Sequence, residues 1–111
     1  MIGLISINYR TSPIEVREKF FFQDNEKIKF YNLLLEEYSV DGLVILSTCN
    51  RTEIYYEFEN HIGEEKRIFH LIMKCLVEFK HYSEGLSPYV SKKVGSLNVS
   101  RHLFRLISGL E

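Results

Sequence analysis

A short polar stretch between two apolar runs carries the residues best suited to chemistry. It covers residues 47–53 (Ser-Thr-Cys-Asn-Arg-Thr-Glu) and separates the apolar run 43–46 from the alternating run 54–58. Both runs are typical of strands, and a connection between strands is normally built from glycine, asparagine or aspartate. This connection instead carries a thiol, a guanidinium and two threonine hydroxyls, which predicts a reactive-cysteine site.

Cys49 is the candidate nucleophile of this site. A nearby guanidinium, that of Arg51, favours the thiolate, which is the form that attacks, and backbone N–H groups of a turn can hold a developing oxyanion. Residue type and spacing leave a reactive and a structural thiol equally open. Cys75 lies in the apolar stripe of a predicted helix and is expected to be buried. A disulfide between the two cysteines is not expected.

Arg51 and His102 are the two charged or titratable residues that could act together with Cys49. Arg51 has three open roles: stabilising the thiolate of Cys49, binding a substrate carboxylate with two hydrogen bonds, or forming a surface salt bridge with Glu53. His102 lies at the edge of the apolar stripe of the last predicted helix. Such a histidine suits general acid or base catalysis, but the pattern alone favours a partly exposed side chain that has no special role.

Metal and dinucleotide sites are not expected in this chain. The two cysteines and four histidines form no Cys-x-x-Cys or His-x-x-x-His pair, which are spacings that zinc sites use. No Gly-x-Gly-x-x-Gly occurs, so the fingerprint of a dinucleotide-binding turn is missing.

The elements that must position these residues follow from hydrophobic periodicity. The pattern predicts a short helical turn opened by Pro13, and an N-cap at Asp24 for a helix of about fifteen residues. The apolar positions of that helix, which are expected to be buried, are Ile28, Tyr31, Leu34, Leu35 and Tyr38. The remaining elements are strands at 2–8, 43–46, 53–58 and 89–94 and helices at about 64–80 and 98–110.

This order predicts the α+β class. Without the last helix it is β-α-β-β-α-β, the ferredoxin-like arrangement, with an antiparallel sheet and helices on one face. The C-terminal helix is an addition to it. The length of 111 residues suits a single domain over residues 1–111. Because the last helix reaches Glu111 without a C-cap, a longer parent chain is expected.

Net charge and hydropathy restrict the partners and the compartment that can be expected for the protein. The net charge of −1 gives no whole-molecule attraction to nucleic acid. No apolar run approaches the length of a membrane span, and the first residues lack the features of a signal peptide. A cytoplasmic protein without a membrane partner is therefore expected.

Three segments of the chain resemble glutamyl-tRNA reductases. The stretch 46–55 (Leu-Ser-Thr-Cys-Asn-Arg-Thr-Glu-Ile-Tyr) is closely similar to the signature that holds the family's nucleophilic cysteine. Residues 7–13 resemble the opening segment of the family, and residues 102–111 resemble the segment with its active-site histidine. The chain departs from the family at Tyr9, where histidine is usual, and at Ser12, where alanine is usual.

The resemblance implies a function and its residues. Cys49 would attack the ester of glutamyl-tRNA(Glu) and form a thioester, and hydride from NADPH would release glutamate-1-semialdehyde, the first step of tetrapyrrole (porphyrin and heme) biosynthesis from glutamate. Thr48, Asn50 and Arg51 would frame the substrate, with Arg51 holding its side-chain carboxylate. His102 would act near the leaving oxygen or the thioester.

The resemblance also implies partners outside this chain. It covers the family's N-terminal catalytic domain alone, so NADPH would be held by a domain that this chain lacks. The full-length protein would be a homodimer, and an aminomutase would take up the semialdehyde. The alternative is a non-catalytic ferredoxin-like module that binds a small ligand or RNA and needs no reactive thiol.

Overall fold

The computed structural model of the protein describes residues 1–37, 40–59 and 64–95. The predicted helix over 98–110, with His102, lies outside this part of the chain. In chain order, the elements are β1 (Ile2–Asn8), α1 (Ile14–Lys19), α2 (Asp24–Glu37), β2 (Gly42–Ser47), β3 (Arg51–Glu57), α3 (Glu64–Phe79), a 3₁₀ turn (Ser87–Tyr89) and β4 (Ser91–Val94).

The four strands form one antiparallel sheet in the order β2-β3-β1-β4. The central strands β1 and β3 are buried along almost their whole length, and each of them is paired with a strand on both sides. The α+β class and the antiparallel sheet are confirmed. β4 lies at an edge of the sheet, and it is shorter than the predicted strand over 89–94 because residues 87–89 form the 3₁₀ turn.

One face of the sheet packs against the helices. Ile45, Ile54 and Ile5 pair in register across three strands and share a core with Ile68 and other residues of α3. α3 buries Ile68, Ile72, Cys75 and Leu76, so the predicted burial of Cys75 is confirmed. The free energy of this burial fixes the register, since a slip by one residue would turn every isoleucine to the opposite face.

The buried side of α2 differs from the prediction. Phe30 and Leu34 are buried, whereas Ile28 is 63% exposed and Tyr31 is also exposed. Phe30 packs edge-on against Phe22 and Phe79 at centroid distances of 5.3 and 5.2 Å. This aromatic cluster rotates the helix away from the stripe of Ile28 and Tyr31, because aromatic side chains bury more area than isoleucine.

The start of α2 also differs by one residue. The helix begins at Asp24, and the carbonyl of Gln23 accepts the first helical bond, from the N–H of Lys27. Gln23 is therefore the N-cap. None of the helices in the described ranges is long and apolar enough to cross a membrane.

Candidate active site

The thiol turn is tighter than the sequence predicted. β2 extends to Ser47 and β3 begins at Arg51, so three residues, 48–50, connect the strands. The N–H of Thr48 donates to the carbonyl of Arg51 at 2.7 Å, and the N–H of Asn50 donates to Oγ1 of Thr48 at 3.2 Å. Cys49 is exposed at the tip.

The turn needs no glycine. Of the described non-glycine residues, His81 is the one with a positive φ, so Cys49 and Asn50 both have ordinary backbone conformations. Residues with long or reactive side chains can therefore occupy the tip without backbone strain. The hydroxyl of Thr48 takes the part that a turn-forming aspartate often plays.

A chain of hydroxyl groups holds the base of the turn. Thr52 Oγ1 donates to the carbonyl of Phe20 at 3.0 Å, and it lies 2.7 Å from Ser47 Oγ. A threonine hydroxyl has one proton, so Ser47 is the donor in that contact. Ser47 Oγ in turn accepts the N–H of Phe22 at 3.0 Å. The segment between α1 and α2 is thus bonded at two points to the strands that carry the turn.

The end of β1 supports the turn from the other side. The N–H of Tyr9 donates to the carbonyl of Asn50 at 3.0 Å. The carbonyl of Asn8 accepts the hydroxyl of Ser12 at 2.8 Å, and the hydroxyl of Thr11 lies 2.8 Å from the carbonyl of Tyr89. The segment that follows β1 is therefore folded back on itself and bonded to the thiol turn.

Arg51 and Glu53 form an ion pair beside the turn, on the sheet face opposite the main core. Arg51 Nη1 lies 3.8 Å from Glu53 Oε2, and their side chains are 12% and 0% exposed. Glu53 also accepts the hydroxyls of Ser6 at 2.8 Å and Tyr55 at 3.2 Å. The predicted partner of Arg51 is confirmed, but the pair is buried and does not lie on the surface.

Two further side chains, those of Asn8 and Tyr9, adjoin this buried network. Asn8, which pairs with Arg51 in the strand register, donates from Nδ2 to Ser6 Oγ at 2.8 Å. The guanidinium carbon of Arg51 lies 5.8 Å from the centroid of the Tyr9 ring, within the range of a cation–π contact. Arg51 is therefore held between a carboxylate and an aromatic ring.

The structure brings together four of the five predicted site residues. Thr48, Cys49 and Asn50 are exposed in one turn, and Arg51 follows them with its side chain in the buried network. His102 lies outside the described residues. Cys75 is buried and both cysteines are free, as expected. In the described ranges, no group of three side chains could hold a metal ion.

The residues that support the turn were not predicted from the sequence. Ser6 and Asn8 alternate on β1, and Glu53 and Tyr55 alternate on β3. Polar residues at alternating positions near the paired ends of these two strands were a usable signal, because such positions share one face of a sheet. Fold and site together define an α+β domain that presents a thiol on a hairpin turn and supports the turn with buried polar contacts.

Comparison with known proteins identifies the family. A protein-family profile described as "Glutamyl-tRNAGlu reductase, N-terminal domain" matches residues 5–111. The chain belongs to this family. The relatives include "Glutamyl-tRNA reductase" of Bacillus mycoides, 40% identical over 114 residues, and that of Bacillus subtilis, 38% identical over 112 residues.

A solved structure also resembles this chain, and each match covers only part of the longer relative. The "Glutamyl-tRNA Reductase from Methanopyrus kandleri" matches with a TM-score of 0.64 at 28% identity, over 98% of this chain and 22% of that one. The two Bacillus matches cover 99% of this chain and 24% and 23% of the relatives. The chain therefore spans about a quarter of the length of these proteins.

Proposed function

We propose that this chain is the glutamyl-accepting catalytic domain of an NADPH-dependent glutamyl-tRNA reductase. The exposed thiol of Cys49, at the tip of an internally hydrogen-bonded turn, is the observation that carries the proposal. Family membership supplies the substrate class. The product of the complete reaction is glutamate-1-semialdehyde, which leads to tetrapyrroles.

The step assigned to this chain is acyl transfer. The sulfur of Cys49 forms a bond to the ester carbon, the bond from that carbon to the ribose oxygen breaks, and the oxygen leaves with its electron pair and takes up a proton. A thioester accepts hydride more readily than an ester, which is the reason for a covalent intermediate. No turn of the dinucleotide-binding kind occurs among the described residues, so this proposal assigns NADPH to another domain of the longer protein.

The turn offers a donor for the oxyanion that forms during the attack. The N–H groups of Thr48 and Asn50 are bonded within the turn, whereas no described residue accepts the N–H of Cys49. That N–H lies next to the reacting sulfur, where an oxyanion donor has to be. Asn50 and Thr48 are proposed to frame the substrate around it.

Arg51 is proposed to hold the side-chain carboxylate of the glutamyl group. A guanidinium has five donors, and the 3.8 Å separation from Glu53 is longer than a hydrogen bond. Donors therefore remain for a second carboxylate. A glutaminyl group would leave them facing a neutral amide, which a buried guanidinium discriminates against strongly.

The remaining parts of the proposal concern residues and partners outside the described ranges. His102 is proposed to act as the acid that protonates the leaving ribose oxygen, on a C-terminal helix added to a ferredoxin-like domain. The strand order β2-β3-β1-β4 supports that fold assignment. The longer protein is proposed to be a cytoplasmic homodimer that passes the semialdehyde to an aminomutase.

The mass of the intact chain after mixing with glutamyl-tRNA tests the proposal. We expect one added glutamyl group on the wild-type chain and on Cys75→Ser, and none on Cys49→Ser. Because water can remove a thioester, free glutamate released from the RNA is measured in the same samples. If neither the mass nor the release of glutamate depends on Cys49, the proposed function is wrong and a non-catalytic binding module takes its place.

A further inference from the structure

Tyr9 stands out as an exposed aromatic side chain bonded to the thiol turn. Its side chain is 46% exposed, yet its backbone N–H is fixed to the carbonyl of Asn50 at 3.0 Å. Phe21 and Tyr31 are the other exposed aromatic residues in the described ranges, and neither is hydrogen-bonded to residues 48–50. Because burial of an aromatic ring is strongly favourable, a ring exposed beside a nucleophile is well placed to meet a ligand.

Arg10 adds a positive charge to the same place. Its Nε donates to the hydroxyl of Tyr9 at 3.2 Å, and its guanidinium carbon lies 5.5 Å from the ring centroid. No described residue bonds the two terminal nitrogens of Arg10. The side chain is exposed, so these nitrogens can reach a phosphate, the group that a guanidinium binds with matching geometry.

An aromatic ring next to a free guanidinium is the usual composition of a site for a single-stranded nucleotide. The base stacks on the ring and the phosphate meets the cation. The backbone hydrogen bond from Tyr9 to Asn50, the residue after Cys49, also places this pair next to the thiol turn. In an aminoacyl-RNA ester, the terminal base and the reacting ester are attached to the same ribose, so a base that binds here keeps the ester within one sugar's width of the turn.

We propose that Tyr9 and Arg10 form a subsite for the 3′-terminal nucleotide of the RNA, with the adenine base stacked on Tyr9 and its phosphate bound by Arg10. This inference rests on the proposed function, because that function places an RNA ester at Cys49. It assigns recognition of the RNA end to the catalytic domain itself. It also gives the segment after β1 a role in binding, in addition to its support of the turn.

Nuclear magnetic resonance with a short RNA tests the subsite without any chemistry. The probes are the trinucleotide CCA and an analogue whose 3′ residue has no base, added to the 111-residue chain with labelled tyrosine. We expect an upfield shift of the Tyr9 ring signals with CCA and little shift with the abasic analogue. Equal shifts with both probes, or no shift with either, would overturn the proposal.

Variants separate stacking from support of the turn. The measurement is the rate of Cys49 acylation by a glutamyl-RNA minihelix that ends in adenosine, divided by the rate with an abasic end. Tyr9→Leu is expected to lower this ratio about 5- to 140-fold, the range that corresponds to one base stack. Tyr9→Phe keeps the ring and is expected to restore most of the ratio. Tyr31→Leu removes an exposed tyrosine of α2, which is not bonded to the thiol turn, and serves as the matched control.

The outcomes distinguish the subsite from the proposed function. If Tyr9→Leu slows both RNAs equally, Tyr9 positions the turn or Arg51 and the subsite is wrong, while the function stands. If CCA shifts the Tyr9 signals but Cys49 is never acylated, the subsite stands and the function is wrong. Arg10→Gln should weaken CCA binding and its dependence on salt concentration; unchanged binding would remove Arg10 from the subsite.

Discussion

Arg51 and Glu53, two residues apart on β3, form an ion pair that is almost completely buried. Their closest charged atoms are 3.8 Å apart, and Glu53 has no exposed surface. The hydroxyls of Ser6 and Tyr55 donate to the same carboxylate. Burial of a charge is costly unless the charge is paired and hydrogen-bonded. The buried guanidinium next to the thiol turn therefore depends on the Glu53 carboxylate.

Removal of the negative partner should therefore be damaging. Glu53→Gln leaves the positive charge of Arg51 buried, and breaking such a pair typically costs about 3–5 kcal/mol. Because Arg51 keeps some contact with water, we expect a loss of about 2–3 kcal/mol in the free energy of unfolding. Urea denaturation measures it. Glu57→Gln, an exposed position on the same strand, is the control, and equal small effects in both variants would contradict the prediction.

The hydroxyl chain at the base of the turn should act as one unit. Thr52→Val leaves the carbonyl of Phe20 without its buried donor, and Ser47→Ala leaves the N–H of Phe22 without its acceptor. Each change is expected to cost about 1–3 kcal/mol. Since both belong to one hydrogen-bonded chain, the double variant should cost less than the sum of the two. Strict additivity in denaturation experiments would show that the two contacts are independent. Ser87→Ala, at an exposed serine, is expected to change little.

Glu26 should make the stability depend on pH in the acid range. Its Oε1 accepts the N–H of Gln23 at 3.0 Å and its Oε2 lies 2.9 Å from Lys80 Nζ. The first bond is that of a third-position glutamate in a capping box. The Gln23 N–H, followed by Lys80, lowers the pKa of Glu26 below its ordinary value of 4.5.

The direction of this effect follows from the lowered pKa. The unfolded chain takes up the proton first as the pH falls, so the contribution of Glu26 is complete above about pH 4.5 and disappears below it. The stability difference between wild type and Glu26→Gln should therefore shrink from pH 6 to about pH 3. Denaturation curves across that range measure it. Glu36→Gln, at an exposed position of the same helix, is the control variant, and a constant difference for Glu26→Gln would refute the assignment.

Tyr56 should tolerate the loss of its hydroxyl. The ring is buried, and none of the described residues forms a hydrogen bond with its OH. Burial, with a smaller effect of Glu65, raises the pKa of Tyr56 to about 12. A buried hydroxyl without a partner costs about 1–3 kcal/mol, so Tyr56→Phe is expected to be neutral or to stabilise by up to about 1 kcal/mol. A clear loss in thermal or urea unfolding would show that the hydroxyl is bonded.

Gly3 should not tolerate a side chain, because the same ring occupies its space. A Cβ on Gly3 would lie 2.2 Å from Cζ of Tyr56, whereas one on Gly42 would meet its nearest neighbour, Glu57 Cβ, at 3.8 Å. Gly3→Ala is therefore expected to destabilise by about 2–3 kcal/mol through overpacking. Gly42→Ala, on β2, serves as the control. Similar small losses in both variants would show that the Tyr56 ring moves away.

Several features followed from local pattern. The strands β1, β2 and β3 and the helix α3 lie close to their predicted positions, because period-two and helical spacing are properties of neighbouring residues. The thiol turn and the buried Cys75 were visible for the same reason. The buried side of α2 could not be predicted in this way. The contacts of Phe30 with Phe22 and Phe79 outweigh the stripe of Ile28 and Tyr31, which has the same helical spacing in the sequence.

The sequence by itself determined the α+β class, the position of Cys49 in a turn between two strands, and the family to which the chain belongs. Only the tertiary structure decided that Arg51 is buried against Glu53 and that Ser47, Thr52 and Tyr9 support the turn. The physical reason is register. Hydrogen bonds between strands bring Asn8 opposite Arg51 and Ser6 opposite Glu53, and such pairings between distant residues depend on how the whole sheet buries its core.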